Sequence, residues 1–201
     1  IAVDGSEGAV IMHPTKPVIR RYLGLKAQQR RFEPAAEAPE EARTLDGHLC
    51  KIRANVELAS ELDAVRRFGA RGIGLYRSEF LYLNKLPDLP SEDEQAAHFE
   101  RVAEVAAEYG ATIRSFDLGG DKLSVGGFES ELNPALGLRA LRLALGVRPV
   151  FKTHLRAILR ASAKGNVRIV LPMVARLSDL RAARELLEEC KRELRDEGRA
   201  F

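Results

Sequence analysis

From Leu49 onward, short apolar segments alternate with stretches of helical period, and this alternation limits the fold more than any other feature. Leu49–Asn55 reads as a strand, and Glu57–Phe68 as a helix with Leu58, Leu62 and Val65 on one face. Gly72–Leu75 is a second short strand. Ser91–Glu108 is a helix that opens with the capping box Ser91-Glu92-Asp93-Glu94 and places Phe99, Val102, Ala103 and Ala106 together. Ala111–Phe116 is strand-like, and Pro134–Leu145 and Pro149–Ser162 are helical in character. Val167–Val174 has the apolar run of a strand buried on both faces. In Ser178–Arg195, Leu180, Ala183, Leu187, Cys190 and Leu194 recur at helical spacing. Successive strand–helix units imply an α/β fold with a parallel sheet, either doubly wound or closed into a barrel. A complete eight-unit barrel takes ~250 residues, so residues 48–201 would supply only part of one.

The residues before this alternation are organised differently. Ile1–Val3 and Ala9–Met12 read as two short strands around a turn, and a helix is expected from Lys16 to about Arg31. Ala35–Ala42 has the Ala, Pro and Glu content of a linker, which predicts a domain boundary. The opening Ile1-Ala2-Val3-Asp4-Gly5 lacks an initiating Met and reads as the interior of a longer protein.

Composition removes several classes of function. No apolar run approaches the ~20 residues of a membrane helix, and no segment has the form of a signal peptide. Cys50 and Cys190 have neither CxxC nor metal-ligand spacing, so a reduced, cytoplasmic chain with both cysteines as small buried hydrophobes is expected. The net charge of +3 is spread thinly. The nearest basic patch, Gln28-Gln29-Arg30-Arg31, has no interleaved aromatics for stacking on bases, and nucleic acid is not an expected partner.

Ligands of parallel α/β sheets bind at the C-terminal ends of the strands. Arg77 follows the Gly72–Leu75 strand, Arg114 closes the next, and Lys122 follows the pair Gly119-Gly120. Arg139 falls near the mouth of the same unit. Planar guanidinium groups bind carboxylate and phosphate through paired N–H donors. If the four basic residues converge, the ligand is small and multiply anionic. Each arginine taken alone is more often an ion-pair partner, here for Glu79, Asp117 or Asp121, than a ligand group. Glu79, Asp117, Asp121 and Glu131 have the chemistry to hold Mg2+, but their spacing singles out no metal pair. His13, His48, His98 and His154 show no nucleophile or base pattern and are expected in structural or surface roles, so no catalytic residue is assigned.

Gly72-Ile73-Gly74-Leu75-Tyr76-Arg77-Ser78-Glu79-Phe80-Leu81-Tyr82-Leu83 resembles the signature of enzyme I of the bacterial sugar phosphotransferase system. Segments Arg114–Lys122, Asn133–Arg142, Leu155–Ala163, Val170–Val174 and Leu194–Phe201 resemble the same family in the same order. Val3-Asp4-Gly5 and His13-Pro14-Thr15 are similar to the end of its swivelling phosphohistidine domain. The resemblance implies that residues 1–14 are the tail of that domain and 15–47 a linker helix and linker. Residues 48–201 would then be the N-terminal half of a phosphoenolpyruvate-binding barrel, a partial TIM-type (β/α) barrel of the first four units or so.

Such a protein moves the phosphoryl group of phosphoenolpyruvate to its own histidine and on to the carrier protein HPr. Arg77 and Arg114 match the family's substrate-binding arginines, and Lys122 and Arg139 match further basic residues at that site. The resemblance also implies a homodimer and Mg2+, with the metal ligands and an acid cysteine beyond Phe201 and the phosphorylated histidine before Ile1. The fragment alone would then be inactive, and the edge of its last strand, around Ile169–Met173, would be open to pairing with another chain. Other phosphoenolpyruvate users, such as pyruvate phosphate dikinase and phosphoenolpyruvate synthase, share the barrel, but Tyr76 and Phe80–Leu83 favour enzyme I. A non-catalytic module that senses an anionic metabolite is the alternative of a different class.

Overall fold

Two short strands open the computed structural model, which describes residues 1–5, 7–30, 41–106, 108–119, 133 and 137–201. The chain divides into two compact units, Ile1–Glu40 and Glu41–Phe201. In the first, β1 (Ala2–Asp4) and β2 (Ala9–Ile11) form an antiparallel pair with Val3 opposite Val10. The Asp4 carboxylate accepts the backbone N–H of Glu7 and tightens the turn. Helix α1 (Lys16–Arg30) follows Pro14-Thr15, close to the bounds expected from sequence. Most of the linker read over Ala35–Ala42 lies outside the described residues.

The second unit begins with a two-stranded ribbon, β3 (Ala42–Arg43) against β4 (Leu49–Cys50). The single strand expected over Leu49–Asn55 is therefore two. Leu49 and Cys50 pair antiparallel with β3, whereas β5 (Ala54–Val56) turns into a separate parallel sheet. The helix expected from Glu57 starts late, with a tight turn over Ala59–Glu61 leading into α2 (Leu62–Arg67). Then come β6 (Ile73–Arg77), the short α3 (Glu79–Leu83), α4 (Glu92–Val105) and β7 (Ala111–Arg114). They are followed by α5 (Ala140–Gly146), α6 (Arg148–Ser162), β8 (Val167–Val170) and α7 (Leu177–Asp196).

The capping box at Ser91 forms as its spacing predicts. Ser91 Oγ accepts the N–H of Glu94 at 3.3 Å, and the Glu94 carboxylate accepts the N–H of Ser91 at 2.8 Å. Two other boundaries move. The helix read from Pro134 begins only at Ala140, because Arg139 pairs with Gly119 in an antiparallel bridge and Ala140 N–H donates to Leu118 O. The strand read through Val174 ends at Val170, ahead of Pro172, which has no N–H to donate, and of Met173 at φ 57°.

The sheet is wholly parallel, in the order β5-β6-β7-β8, so each strand lies beside its sequence predecessor and β5 and β8 are the edges. One face carries Val56, Ile73, Tyr76, Ala111 and Ile113 onto Leu62 and Val65 of α2, Phe99 and Val102 of α4, and Ile158 of α6. A second cluster joins Tyr82, Phe116, Leu141 and Phe151 to Ala183, Leu186, Cys190 and Leu194 of α7. Helix α6 serves both, with Phe151, the run His154–Leu159 and Ala161 buried.

Charge fastens the helical layer from outside. Arg156, only about a tenth exposed, donates to Glu92 at 2.6 Å, Glu193 at 3.2 Å and Glu197 at 2.7 Å. Arg160 pairs with Glu92 and Asp93, and Lys152 with Glu189 and Glu193. No helix among the described residues is long and apolar enough to cross a membrane.

Gly110 sets how closely the chain ahead of β7 approaches the chain ahead of β8. Its φ of 73° lies in the left-handed region, and a Cβ built there would stand 2.5 Å from the carbonyl oxygen of Asn166. Gly110→Ala is expected to lower the unfolding free energy by about 2 kcal/mol or more. Gly146 closes α5 with open space around it. There the Ala substitution should be neutral or stabilising by up to about 1 kcal/mol. Urea denaturation of the two variants checks both signs.

Candidate functional site

The sheet register brings two of the sequence-predicted basic residues side by side. Tyr76 lies opposite Ile113, and one step on Arg77 lies opposite Arg114. Because side chains alternate across a strand, burying Tyr76 and Ile113 against the helices sends both arginines to the opposite face, at the C-terminal ends of β6 and β7. Both are half-buried.

Acidic groups are interleaved with them. Arg77 Nη1 contacts Glu57 Oε1, from the residue just after β5. Glu79, 6% exposed at the start of α3, accepts the backbone N–H of Asp117 at 2.7 Å. Its same oxygen lies 2.8 Å from Arg114 Nε, near enough for an ion pair but out of line for N–H donation. Asp117 in turn accepts Arg139 Nε at 2.9 Å and stands 3.8 Å from Arg114. The bridge between Gly119 and Arg139 carries Arg139 to this place. Arg114 and Arg139 therefore share Asp117, and Arg77 lies beside Arg114 on the next strand. Lys122 lies outside the described residues.

Some buried polar atoms here lack partners. Among the described residues, Arg77 Nε, Glu79 Oε2 and Ser115 Oγ are buried without a hydrogen bond. Buried polar atoms without partners are uncommon in folded proteins, and a bound ligand, ion or water is one way in which such a set is completed. No cluster of three or more His, Cys, Asp or Glu side chains that could hold a metal ion occurs among the described residues. Glu79 and Asp117, two of the candidate Mg2+ ligands, are engaged with Arg114 and Arg139 instead.

Residues 32–201 match the PEP-utilising enzyme family through its PEP-binding domain, PEP being phosphoenolpyruvate. The chain belongs to this family. It is 40% identical to a phosphoenolpyruvate-protein phosphotransferase of Cupriavidus necator, over 100% of this chain and 35% of that protein. Proteins of the same name from Haemophilus influenzae and Priestia megaterium are 38% and 37% identical, over 100% and 98% of this chain and 35% of each relative. The chain thus spans about a third of the length of these curated relatives.

Behind the arginines, the PEP-binding domain holds a buried polar chain that the sequence reading did not assemble. Ser78 Oγ donates to the carbonyl of Arg114 at 2.7 Å and lies 3.4 Å from His154 Nε2. Gln95 donates its amide N–H to Pro90 O, which turns its carbonyl toward Tyr82 OH at 3.1 Å and His154 Nδ1 at 2.8 Å. A carbonyl only accepts, so His154 carries its proton on Nδ1. His98 is half-buried, with Nε2 against Tyr76 OH. Burial, and then the charge of Arg101, lowers its pKa. Cys190 is fully buried on α7, as expected, and burial pushes its thiol up to about 11; Cys50 is only half-buried. Glu57 was also missed, although a carboxylate directly after a strand that neighbours β6 is the signal that would have found it.

Burial lowers the pKa of His154 from its ordinary 6.5 to about 3. The unfolded chain then takes up a proton below pH 6.5 that the folded chain refuses, so stability falls as pH drops from 6.5 toward 3. Between pH 7 and pH 5 the loss should be about 1–2 kcal/mol. His154→Gln should remove that part of the slope, as urea denaturation at the two pH values would show.

Proposed function

We propose that Arg77, Arg114, Arg139 and Lys122 bind phosphoenolpyruvate at the C-terminal mouth of a partial TIM-type (β/α) barrel. The observation that carries this reading is Arg77 beside Arg114 at adjacent strand ends, with the buried Nε of Arg77 unpartnered. A ligand with one carboxylate and one phosphate suits two neighbouring guanidinium groups.

Strand order supports the barrel. Right-handed crossovers between strands added one after another in a single direction keep every helix on the same face. Helices α2, α4 and α6 all pack on one face of the sheet, and the arginines emerge on the other. A doubly wound sheet would reverse direction and cover both faces. In this reading residues 48–201 are the N-terminal half of the barrel, 15–47 a linker helix and linker, and 1–14 the end of a swivelling phosphohistidine domain.

The protein that contains this chain is, on this reading, a cytoplasmic phosphoenolpyruvate-protein phosphotransferase of the sugar phosphotransferase system. It transfers the phosphoryl group to an enzyme histidine and then to HPr, through parts outside this chain, and acts as a homodimer. Mg2+, when bound, supplies positive charge at the phosphate; its ligands are proposed to lie outside these residues. Within the chain, the arginines hold the substrate's anionic groups in line and stabilise charge as the phosphoryl group moves.

In the protein expressed from its complete reading frame, Arg114→Leu should lower kcat/KM for autophosphorylation from phosphoenolpyruvate by about a hundredfold or more. Transfer of labelled phosphate measures this. Residues 1–201 alone should show no transfer; robust transfer by this chain would overturn the assignment of the catalytic parts elsewhere.

A further inference from the structure

Three carboxylates stand among the arginines of the mouth, and they are not equally fixed. Glu79 is buried and holds the backbone N–H of Asp117. Asp117 is mostly buried and shared between Arg114 and Arg139. Glu57 differs. Its side chain is 39% exposed, and its contact with the described residues of the mouth is a single one, from Oε1 to Arg77 Nη1. Glu57 also has no counterpart role in the helical layer: its backbone N–H, and that of Leu58, are held by the Glu61 carboxylate at 2.8 and 3.0 Å. The backbone is therefore anchored, while the Glu57 carboxylate is held in the mouth through Arg77.

We infer that Glu57 sets the affinity of the site, its carboxylate standing in on Arg77 for an anionic group of the ligand and being displaced when that ligand binds. The inference rests on the reading of Arg77 as a phosphoenolpyruvate-binding residue. The register explains the placement: Val56 lies opposite Tyr76, so the next residues along, Glu57 and Arg77, meet at the C-terminal edge. One carboxylate oxygen on one terminal nitrogen leaves the buried Nε of Arg77 without a partner. A carboxylate or phosphate entering from the mouth has two oxygens to offer, and spans Nη1 and Nη2 as a fork, taking the terminal nitrogen that Glu57 holds. The exchange is then favourable at Arg77, while Glu57 returns to water at little cost, because a partly exposed ion pair contributes weakly.

The sign of one measurement separates this role from a supporting one. A residue that merely props Arg77 in place weakens binding when it is removed; a competitor for Arg77 strengthens it. In the complete protein, Glu57→Gln keeps the shape and removes the charge. It should bind phosphoenolpyruvate about two- to fivefold more tightly by titration calorimetry, the size expected of a partly exposed ion pair, with KM falling in parallel. Unchanged or weaker binding in Glu57→Gln, while Arg77→Leu abolishes binding, would overturn the role of Glu57 and leave the substrate site standing. Unchanged binding in Arg77→Leu would overturn both.

Discussion

The parallel register between β6 and β7 is the constraint on which the site depends. It is fixed by burial, with Tyr76 and Ile113 opposite one another in the core against α2, α4 and α6. A slip of one residue would turn these side chains away from the helices and drive Arg77 and Arg114 into them. The apolar face thus determines where the charged groups stand, although it touches no ligand. At the opposite end of the sheet Gly110 and Asn166 approach closely where β7 and β8 begin.

Guanidinium groups gathered at one place repel one another, and half-burial raises the cost of each. The chain offsets this with carboxylates graded in burial, from Glu79 through shared Asp117 to partly exposed Glu57. Beneath them, Ser78 ties the backbone of Arg114 to the layer that contains His154, Gln95 and Tyr82. The arginines are supported by hydrogen bonds whose other ends lie deep in the helical packing.

Much of the framework was legible in the residues themselves. The apolar periods located α4, α6, α7 and the parallel strands, because each buries one face and the pattern records it. The capping box at Ser91 was readable because both halves lie within four residues. What was not legible depends on contacts distant in sequence. Leu49–Asn55 is one apolar run, yet its halves pair with different partners. The start of α5 is set by Gly119 and Leu118, some twenty residues earlier. At the candidate site, Arg77 and Arg114 were singled out from their positions after strands and Arg139 from its place near the mouth, whereas Glu57 required the register and the Ser78–His154 contact required the packing of α6.

The grip of Arg156 also orders events in time. Its partners Glu92 and Glu197 bracket more than half of the chain, and its third, Glu193, sits one turn before the end of α7. During synthesis the N-terminus of α4 leaves the ribosome long before these last carboxylates exist. Arg156 and Glu92 can meet early, but the clamp that joins α4, α6 and α7 closes only when the final turn of α7 has emerged. The final turn of α7 is therefore the latch of the helical layer.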